Sequence, residues 1–227
     1  MSSPLRIGVL LFPGFQALDT FGPLDCLNVL SQTQSLTLSL LTPGHDLSPV
    51  STKPHSYPNS ISQSIVPTHT LSNAPDIDVL LVPGGDGTKW DDTDEIKAVV
   101  GFIKNVYPKL QYLITVCTGA KLAARAGVLD GKRATTNKSS FHQTQAQESR
   151  WSSGVEGGRI EWVAKARWVV DGNVWTSSGV SAGIDLVLAW IGEVYGEGVA
   201  QGVANVIEYK RVKDSEEDGF AEVYGLA

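Results

Sequence analysis

Short apolar runs that stop at a turn residue and give way to helical periodicity constrain this chain more than any other feature. Ile7 to Phe12 is a continuous apolar stretch closed by Pro13-Gly14, and Pro23 to Leu30 then reads as a helix. Asp78 to Val82 ends in Pro83-Gly84-Gly85-Asp86-Gly87. After it, Ile96, Val99, Val100, Ile103 and Val106 fall on one helical stripe within Thr93 to Tyr107, with Thr93 or Asp94 as cap. Leu110 to Val116 stops at Cys117 and runs at once into a small-residue helix ending at Gly127. Leu36 to Leu41 alternates apolar and polar residues, as a strand does. Strands of this kind alternating with helices predict an α/β domain with a mainly parallel sheet and helices on both faces. In such a sheet, ligands sit at the carboxyl ends of the strands.

The second half is less regular. Residues 43 to 60 read as loop or a short hairpin, and Ser139 to Glu148 as a polar helix. Ser152 to Gly158 is a Ser/Gly loop. Trp162-Val163 and Ala166 to Val170 read as strands, and Asp171-Gly172 is a hairpin turn leading into Val174-Trp175-Thr176. Ala182 to Tyr195 and Gly198 to Tyr209 are two closing helices, and the charged tail from Lys213 is expected to be mobile. With no repeat or linker, 227 residues fit one domain, its core from about 5 to 209.

A formal net charge of -6 gives neither a basic footprint for nucleic acid nor a polybasic patch for a membrane. No apolar run approaches bilayer length, and no signal segment is expected before the first strand. Two cysteines make no disulfide framework, so a reducing, cytoplasmic setting is expected.

Three strand ends gather useful chemistry at one edge of the sheet. Asp19 follows the first strand, Gly84 and Gly85 the third, and Cys117 with Thr118 the next. A cysteine between a strand and a helix N-terminus meets backbone N–H groups and the positive end of the helix dipole. Both lower the thiol pKa and favour a nucleophilic thiolate. A carboxyl group shielded from water, as Asp19 is if it faces this edge, has a raised pKa and can serve as general acid. The bland readings are a buried core cysteine at 117 and a capping or solvated carboxylate at 19. Cys26, among Leu24, Leu27, Val29 and Leu30, reads as core.

Competing motifs are weaker. Gly179-Val180-Ser181-Ala182-Gly183 matches the G-x-S-x-G serine elbow, yet His45, His55, His69 and His142 all precede Ser181, which excludes the chain order of that triad. Its glycines fit a helix opening, with Ser181 as cap. Gly85-Asp86-Gly87-Thr88-Lys89 lacks the Walker spacing. His142 reads as solvated, and no Cys, His or carboxylate cluster has metal-ligand spacing. One or two of the tryptophans of the later segment, Trp162 among them, can wall a pocket for an apolar substrate.

Four blocks together carry a family resemblance: Leu18-Asp19 with Gly22-Pro23; Val82-Pro83-Gly84-Gly85-Asp86-Gly87-Thr88; Val116-Cys117-Thr118-Gly119-Ala120 with Gly127 to Thr136; and Asp171-Gly172-Asn173 through Gly179 to Asp185. The chain resembles the DJ-1/PfpI superfamily and, within it, the isocyanide (isonitrile) hydratase branch. The resemblance implies a flavodoxin-like three-layer sandwich, a homodimer and no cofactor. Superfamily proteases and glyoxalase-like members usually carry His after the nucleophile. Thr118 stands there instead, as in the hydratases. Similar Cys-Thr-Gly domains occur in bacterial regulators fused to a DNA-binding module, and no such module is expected here. Where hydratases commonly continue Ala-Thr-Thr with His-Trp, this chain has Asn137-Lys138.

The resemblance implies hydration of an isocyanide, R–N≡C plus water giving an N-substituted formamide, through a Cys117 thioimidate. Asp19 supplies the proton, and the Thr118 hydroxyl helps to fix Asp19. Gly84 and Gly85 hold water or developing charge with their N–H groups, and Asn137, Val180 and Trp162 shape the substrate pocket. Two other readings stay open at this point. One is a tailoring enzyme acting on a bulkier metabolite, and the other is a non-catalytic cysteine that senses oxidants.

Overall fold

The computed structural model describes residues 5–57, 59–151 and 159–226. The Ser/Gly loop expected from Ser152 to Gly158 lies outside the described residues. In chain order the first elements are β1 (Leu5–Leu10), α1 (Ala17–Leu30), β2 (Leu36–Thr42), β3 (Val50–Ser51), β4 (Ser64–Ile65), β5 (His69–Thr70) and β6 (Val79–Val82). They are followed by α2 (Asp94–Val106), β7 (Tyr112–Thr115), α3 (Gly119–Arg125), β8 (Arg133–Ala134) and α4 (Phe141–Gln147). The last are β9 (Glu161–Trp162), β10 (Trp168–Asp171), β11 (Val174–Ser177), α5 (Ala182–Tyr195), α6 (Glu197–Val206) and α7 (Phe220–Val223).

Seven strands form one sheet in the order β10-β11-β7-β6-β1-β2-β5. All neighbours are parallel except β10 and β11, which form the hairpin expected at Asp171-Gly172. The short antiparallel β3–β4 pair joins Val50–Ser51, inside the 43–60 region, to Ser64–Ile65 beyond it. Successive strand residues alternate between the two faces, as the period of 2 requires. Leu10, Leu80, Val82 and Leu113 pack with α2 and α3, through Ile96, Val99, Ile103 and Leu122. Ile7, Val9, Val79, Leu81 and Ile114 pack with α1, α5 and α6, through Leu24, Leu27, Leu186, Trp190 and Val203. The result is the expected three-layer sandwich. Cys26 is fully buried in the second layer, as its helical neighbours suggested.

Strand order reverses between β1 and β6, since β2 lies on the outer side of β1 and β7 on the outer side of β6. The crevice at the carboxyl ends of these strands is where such sheets bind ligands. Two departures from the sequence reading shape it. Helix α1 begins at Ala17 and keeps Pro23 inside it, whereas the sequence favoured a start at Pro23. Tertiary contacts outweigh the proline there: Gln16 N–H donates to the Gly84 carbonyl at 2.8 Å, and a Cβ at Gly22 would stand 2.7 Å from Ile184 Cγ1 of α5. The early start draws Asp19 into the first turn of a packed helix, fully buried rather than capping or solvated.

The tail is the second departure. It is charged, as read, but it packs. Arg167 N–H donates to the Ser215 carbonyl, Asp218 is buried, and Ala221 of α7 is fully buried. It is tied back by an ion pair across 80 residues of chain, between the buried Lys138 and Asp218, with Nζ to Oδ2 at 3.4 Å, and by the Val212 N–H donating to Asp185 Oδ1 at 2.9 Å.

Candidate active site

Cys117 sits on the turn from β7 into α3 with φ at +58°, in the left-handed region that non-glycine residues seldom adopt. Holding it there costs about 1–3 kcal/mol, and two chain segments impose it. Cys117 N–H donates to the Ser178 carbonyl at 3.0 Å, and the Thr136 hydroxyl donates to the Cys117 carbonyl at 2.9 Å. This tight elbow turns the side chain back toward the strand ends. Cys117 as a whole is 6 % exposed.

Asp19 reaches the same point from α1. Its Oδ2 accepts Gly84 N–H at 2.8 Å, and the thiol of Cys117 interacts with the carboxyl as a hydrogen-bond donor. The other oxygen, Oδ1, is buried with no protein partner in good hydrogen-bond geometry among the described residues. Burial pushes the Asp19 carboxyl up to about 7, against the opposing pull of Gly84 N–H and the thiol. Three donors face the sulfur: the backbone N–H groups of Thr118 and Val180, and the Asn137 side-chain amide.

The expectation of a lowered thiol pKa is overturned. Burial, and next the charge of Asp19, push the Cys117 thiol up to about 12, and the three donors offset only part of that rise. A helix end stabilises an anion it faces, but desolvation beside a carboxylate outweighs it here. The resting sulfur is therefore a neutral thiol next to a carboxyl that titrates near neutrality. This pair can pass one proton between sulfur and oxygen during a reaction.

Several expected roles change. Gly84 and Gly85 hold no ligand with their N–H groups, because these are already taken: Gly84 donates to Asp19, and Gly85 to Thr118 Oγ1 at 3.0 Å. The Thr118 hydroxyl does not fix Asp19. It joins Gly85 and the Thr88 hydroxyl, also at 3.0 Å, and so pins the loop after β6 to the start of α3. A Cβ at Gly84 would lie 2.5 Å from Thr118 N and 3.0 Å from Asp19 Oδ2, so the glycine is what lets the carboxylate and the elbow close together. Trp162 does not wall the site. Its indole N–H donates to Glu148 Oε2 at 2.9 Å, and its ring meets Phe141 edge-on at 6.3 Å, on the α2–α3 side of the sheet.

Asn137 and Val180 do line a cavity, of about 220 Å³, together with Ser178, Ser181, Phe220 and Tyr224. Two of its lining residues are thus the ones that donate to the Cys117 sulfur. Phe220 and Tyr224 come from the packed tail and had no signal in the sequence beyond two aromatics in a charged stretch. The glycines of the G-x-S-x-G match serve packing: a Cβ at Gly179 would lie 2.6 Å from Asn137 Nδ2, and one at Gly183 2.7 Å from Val116 Cγ1. Ser181 opens α5 without a side-chain capping bond. Among the described residues, no three His, Cys, Asp or Glu side chains cluster as metal ligands.

Comparison with known proteins agrees with this architecture. The DJ-1/PfpI family model matches residues 5–193. The chain is 36% identical over 205 residues to the isonitrile hydratase of Pseudomonas putida, covering 90% of this chain and 78% of that protein. It is 28% identical over 153 residues to an HTH-type transcriptional regulator of Pseudomonas aeruginosa, covering 67% of this chain but 38% of the regulator. Among solved structures, a ThiJ/PfpI family protein from Pseudomonas syringae superposes with a TM-score of 0.71 at 24% identity, covering 98% of this chain and 84% of that one. DJ-1beta of Drosophila melanogaster superposes with a TM-score of 0.65 at 18% identity, over 91% and 99% of the two chains.

Proposed function

The chain belongs to the DJ-1/PfpI family, and from that premise we propose that it is a cofactor-independent isocyanide hydratase with Cys117 as nucleophile and Asp19 as its proton-transfer partner. The observation that carries this reading is the contact between the Cys117 thiol and the buried Asp19 carboxyl, with three hydrogen-bond donors aimed at the sulfur. The similarity to a bacterial isonitrile hydratase over most of both chains supports the substrate class.

The steps balance as follows. Ionised Asp19 takes the thiol proton as the sulfur attacks the terminal isocyanide carbon, and the donors from Thr118, Val180 and Asn137 stabilise the charge that develops on sulfur. The protonated carboxyl then delivers that proton to the carbon, leaving the thioimidate R–N=CH–S–Cys117. Water adds to this carbon, one proton goes to nitrogen, and collapse releases R–NH–CHO and returns the proton to sulfur. A carboxyl with a pKa near 7 suits both the taking and the giving of a proton at neutral pH. Burial counts against the oxidant-sensor reading, because oxidation favours exposed thiolates and this thiol is neither exposed nor acidic.

The test is direct. Incubating the protein with methyl or phenyl isocyanide in 18O-water and following the formamide by mass spectrometry should show catalytic turnover with one labelled oxygen in the product. Turnover no faster than with heat-inactivated protein would reject the reading.

A homodimer in a reducing, cytoplasmic setting belongs to the same proposal. Supporting it, Leu18 and Phe21 flank Asp19 on α1 yet leave 42% and 40% of their surface exposed, and both cysteines are free. No helix among the described residues is long and apolar enough to cross a membrane. Light scattering is expected to give twice the chain mass; a monomer mass that holds as concentration rises would remove the dimer.

A further inference from the structure

The buried pair Lys138–Asp218 has no part in the chemistry above, and the aromatics it brings to the cavity have no assigned role. Lys138 directly follows Asn137, one of the donors to the sulfur. Its Nζ donates to Thr135 Oγ1 and to the Ala166 carbonyl, both at 2.7 Å, and pairs with Asp218 at 3.4 Å. Two protons of the ammonium group are thereby used and its charge faces Asp218, so Lys138 is engaged by the fold. An ion pair removed from water adds little net stability, and its better attested use is to fix one arrangement over others. What it fixes here is the end of the chain. Phe220 N–H donates to Asp218 Oδ1 at 3.0 Å, which starts α7 directly on the latch. Four residues apart on one helical face, Phe220 and Tyr224 then line the cavity together with Val180 and Ser181. They remain 54% and 49% exposed, two large rings held half in water beside a cavity that shares Asn137 and Val180 with the surroundings of the Cys117 sulfur.

We propose that residues 214–226 form the specificity wall of the active-site cavity, latched by Lys138 and Asp218, and that Phe220 and Tyr224 select substrates whose substituent is flat and apolar, an aryl or vinyl group. In this arrangement the reacting carbon points toward Cys117, and the substituent lies between the two rings and Val180. It covers apolar surface that is otherwise wet, which is a source of selectivity between a flat substituent and a single methyl group. Lys138 and Asp218 act through the wall and are positioning residues. The naming of an isocyanide rests on the function proposed above; the wall itself does not.

The experiment uses two probe pairs that differ only in the substituent. The first is phenyl against methyl isocyanide, read as the ratio of kcat/KM values. The second is N-phenylmaleimide against N-methylmaleimide, read as the ratio of alkylation rates at Cys117 by peptide mass mapping and normalised to the ratio for free cysteine. The unaltered protein is expected to favour phenyl by about tenfold or more in both. The double variant Phe220→Ala/Tyr224→Ala, which changes half-exposed residues, is expected to bring both ratios close to one, with the loss for phenyl isocyanide appearing in KM more than in kcat. Asp218→Asn should reproduce that change and expose the chain beyond Val212 to protease, with far-UV dichroism reporting that the sheet is intact. A phenyl preference in alkylation without any isocyanide turnover would uphold the wall and sink the isocyanide reading. Ratios that stay the same in the double variant would overturn the wall, and full selectivity retained by Asp218→Asn would overturn the latch.

Discussion

Cys117→Ala is expected to lower isocyanide hydration by at least about 10³-fold, because no other group in the site can form the thioimidate. The fold should survive. Alanine keeps the backbone bonds from Cys117 to Ser178 and Thr136, and it loses one sulfur atom from a site already lined by polar donors. A companion variant isolates the strain of the elbow. Glycine adopts φ of +58° without steric cost, so Cys117→Gly should be more stable than Cys117→Ala by about 1 kcal/mol. Product formation by mass spectrometry and urea unfolding curves measure the two effects. Alanine turnover within tenfold of the parent would mean that sulfur is not the nucleophile.

Asp19→Asn carries the second large effect, and it runs in opposite directions for activity and stability. Activity should fall by about 10²–10⁴-fold, the usual worth of a positioned acid–base group. In the parent protein, kcat/KM should rise as pH passes through about 7, since Asp19 must ionise before it can accept the thiol proton. Stability follows from linkage. The folded state raises the carboxyl from 3.8 to about 7, so between those values the native protein retains a proton that the unfolded chain has released. Stability from this group is complete below about pH 4 and declines as pH rises through about 7, by up to roughly 4 kcal/mol in all. Asparagine has no proton to lose. The variant should therefore be more stable than the parent at pH 8, with the difference shrinking to little at pH 4.5. Unfolding midpoints at pH 4.5, 6 and 8 test this, and a gap that does not change with pH would contradict a buried carboxyl titrating near 7.

What could be read from residues alone was the frame and the meeting point. The apolar runs ending at Phe12, Val82 and Val116 mark neighbouring strands β1, β6 and β7, and their carboxyl ends bring Asp19, Gly84 and Cys117 together. Asn137 and Val180, read from the sequence only as pocket-shaping residues, line a cavity and also donate to the sulfur, a role the sequence did not suggest. The misreadings share a cause: each polar group was assigned a ligand when the fold had already given it a partner. The N–H groups of Gly84 and Gly85 belong to Asp19 and Thr118, and the Trp162 indole belongs to Glu148. Such pairings join residues 14 to 65 positions apart, and no local pattern encodes them. The thiol pKa failed for a related reason. A helix N-terminus is visible in sequence, but the extent to which water is excluded from it is not, and here desolvation decides the sign. The tail was misread because a run of charges ordinarily means solvent. Its partners lie far back in the chain, Lys138 for Asp218 and Arg167 for Ser215, and no local pattern announces them.

The elbow at Cys117 has a consequence for how this protein can vary. Thr136 and Ser178 bend the cysteine's main chain, and their near neighbours Asn137 and Val180 are the groups that touch its sulfur. Posture and reactivity of the nucleophile are therefore governed by the same two short loops. Any substitution that slackens either loop lets the main chain settle into an ordinary conformation and withdraws a donor from the sulfur in the same movement. Changes of substrate are more readily reached through the far side of the cavity, where the aromatic rings can be exchanged without disturbing that joint.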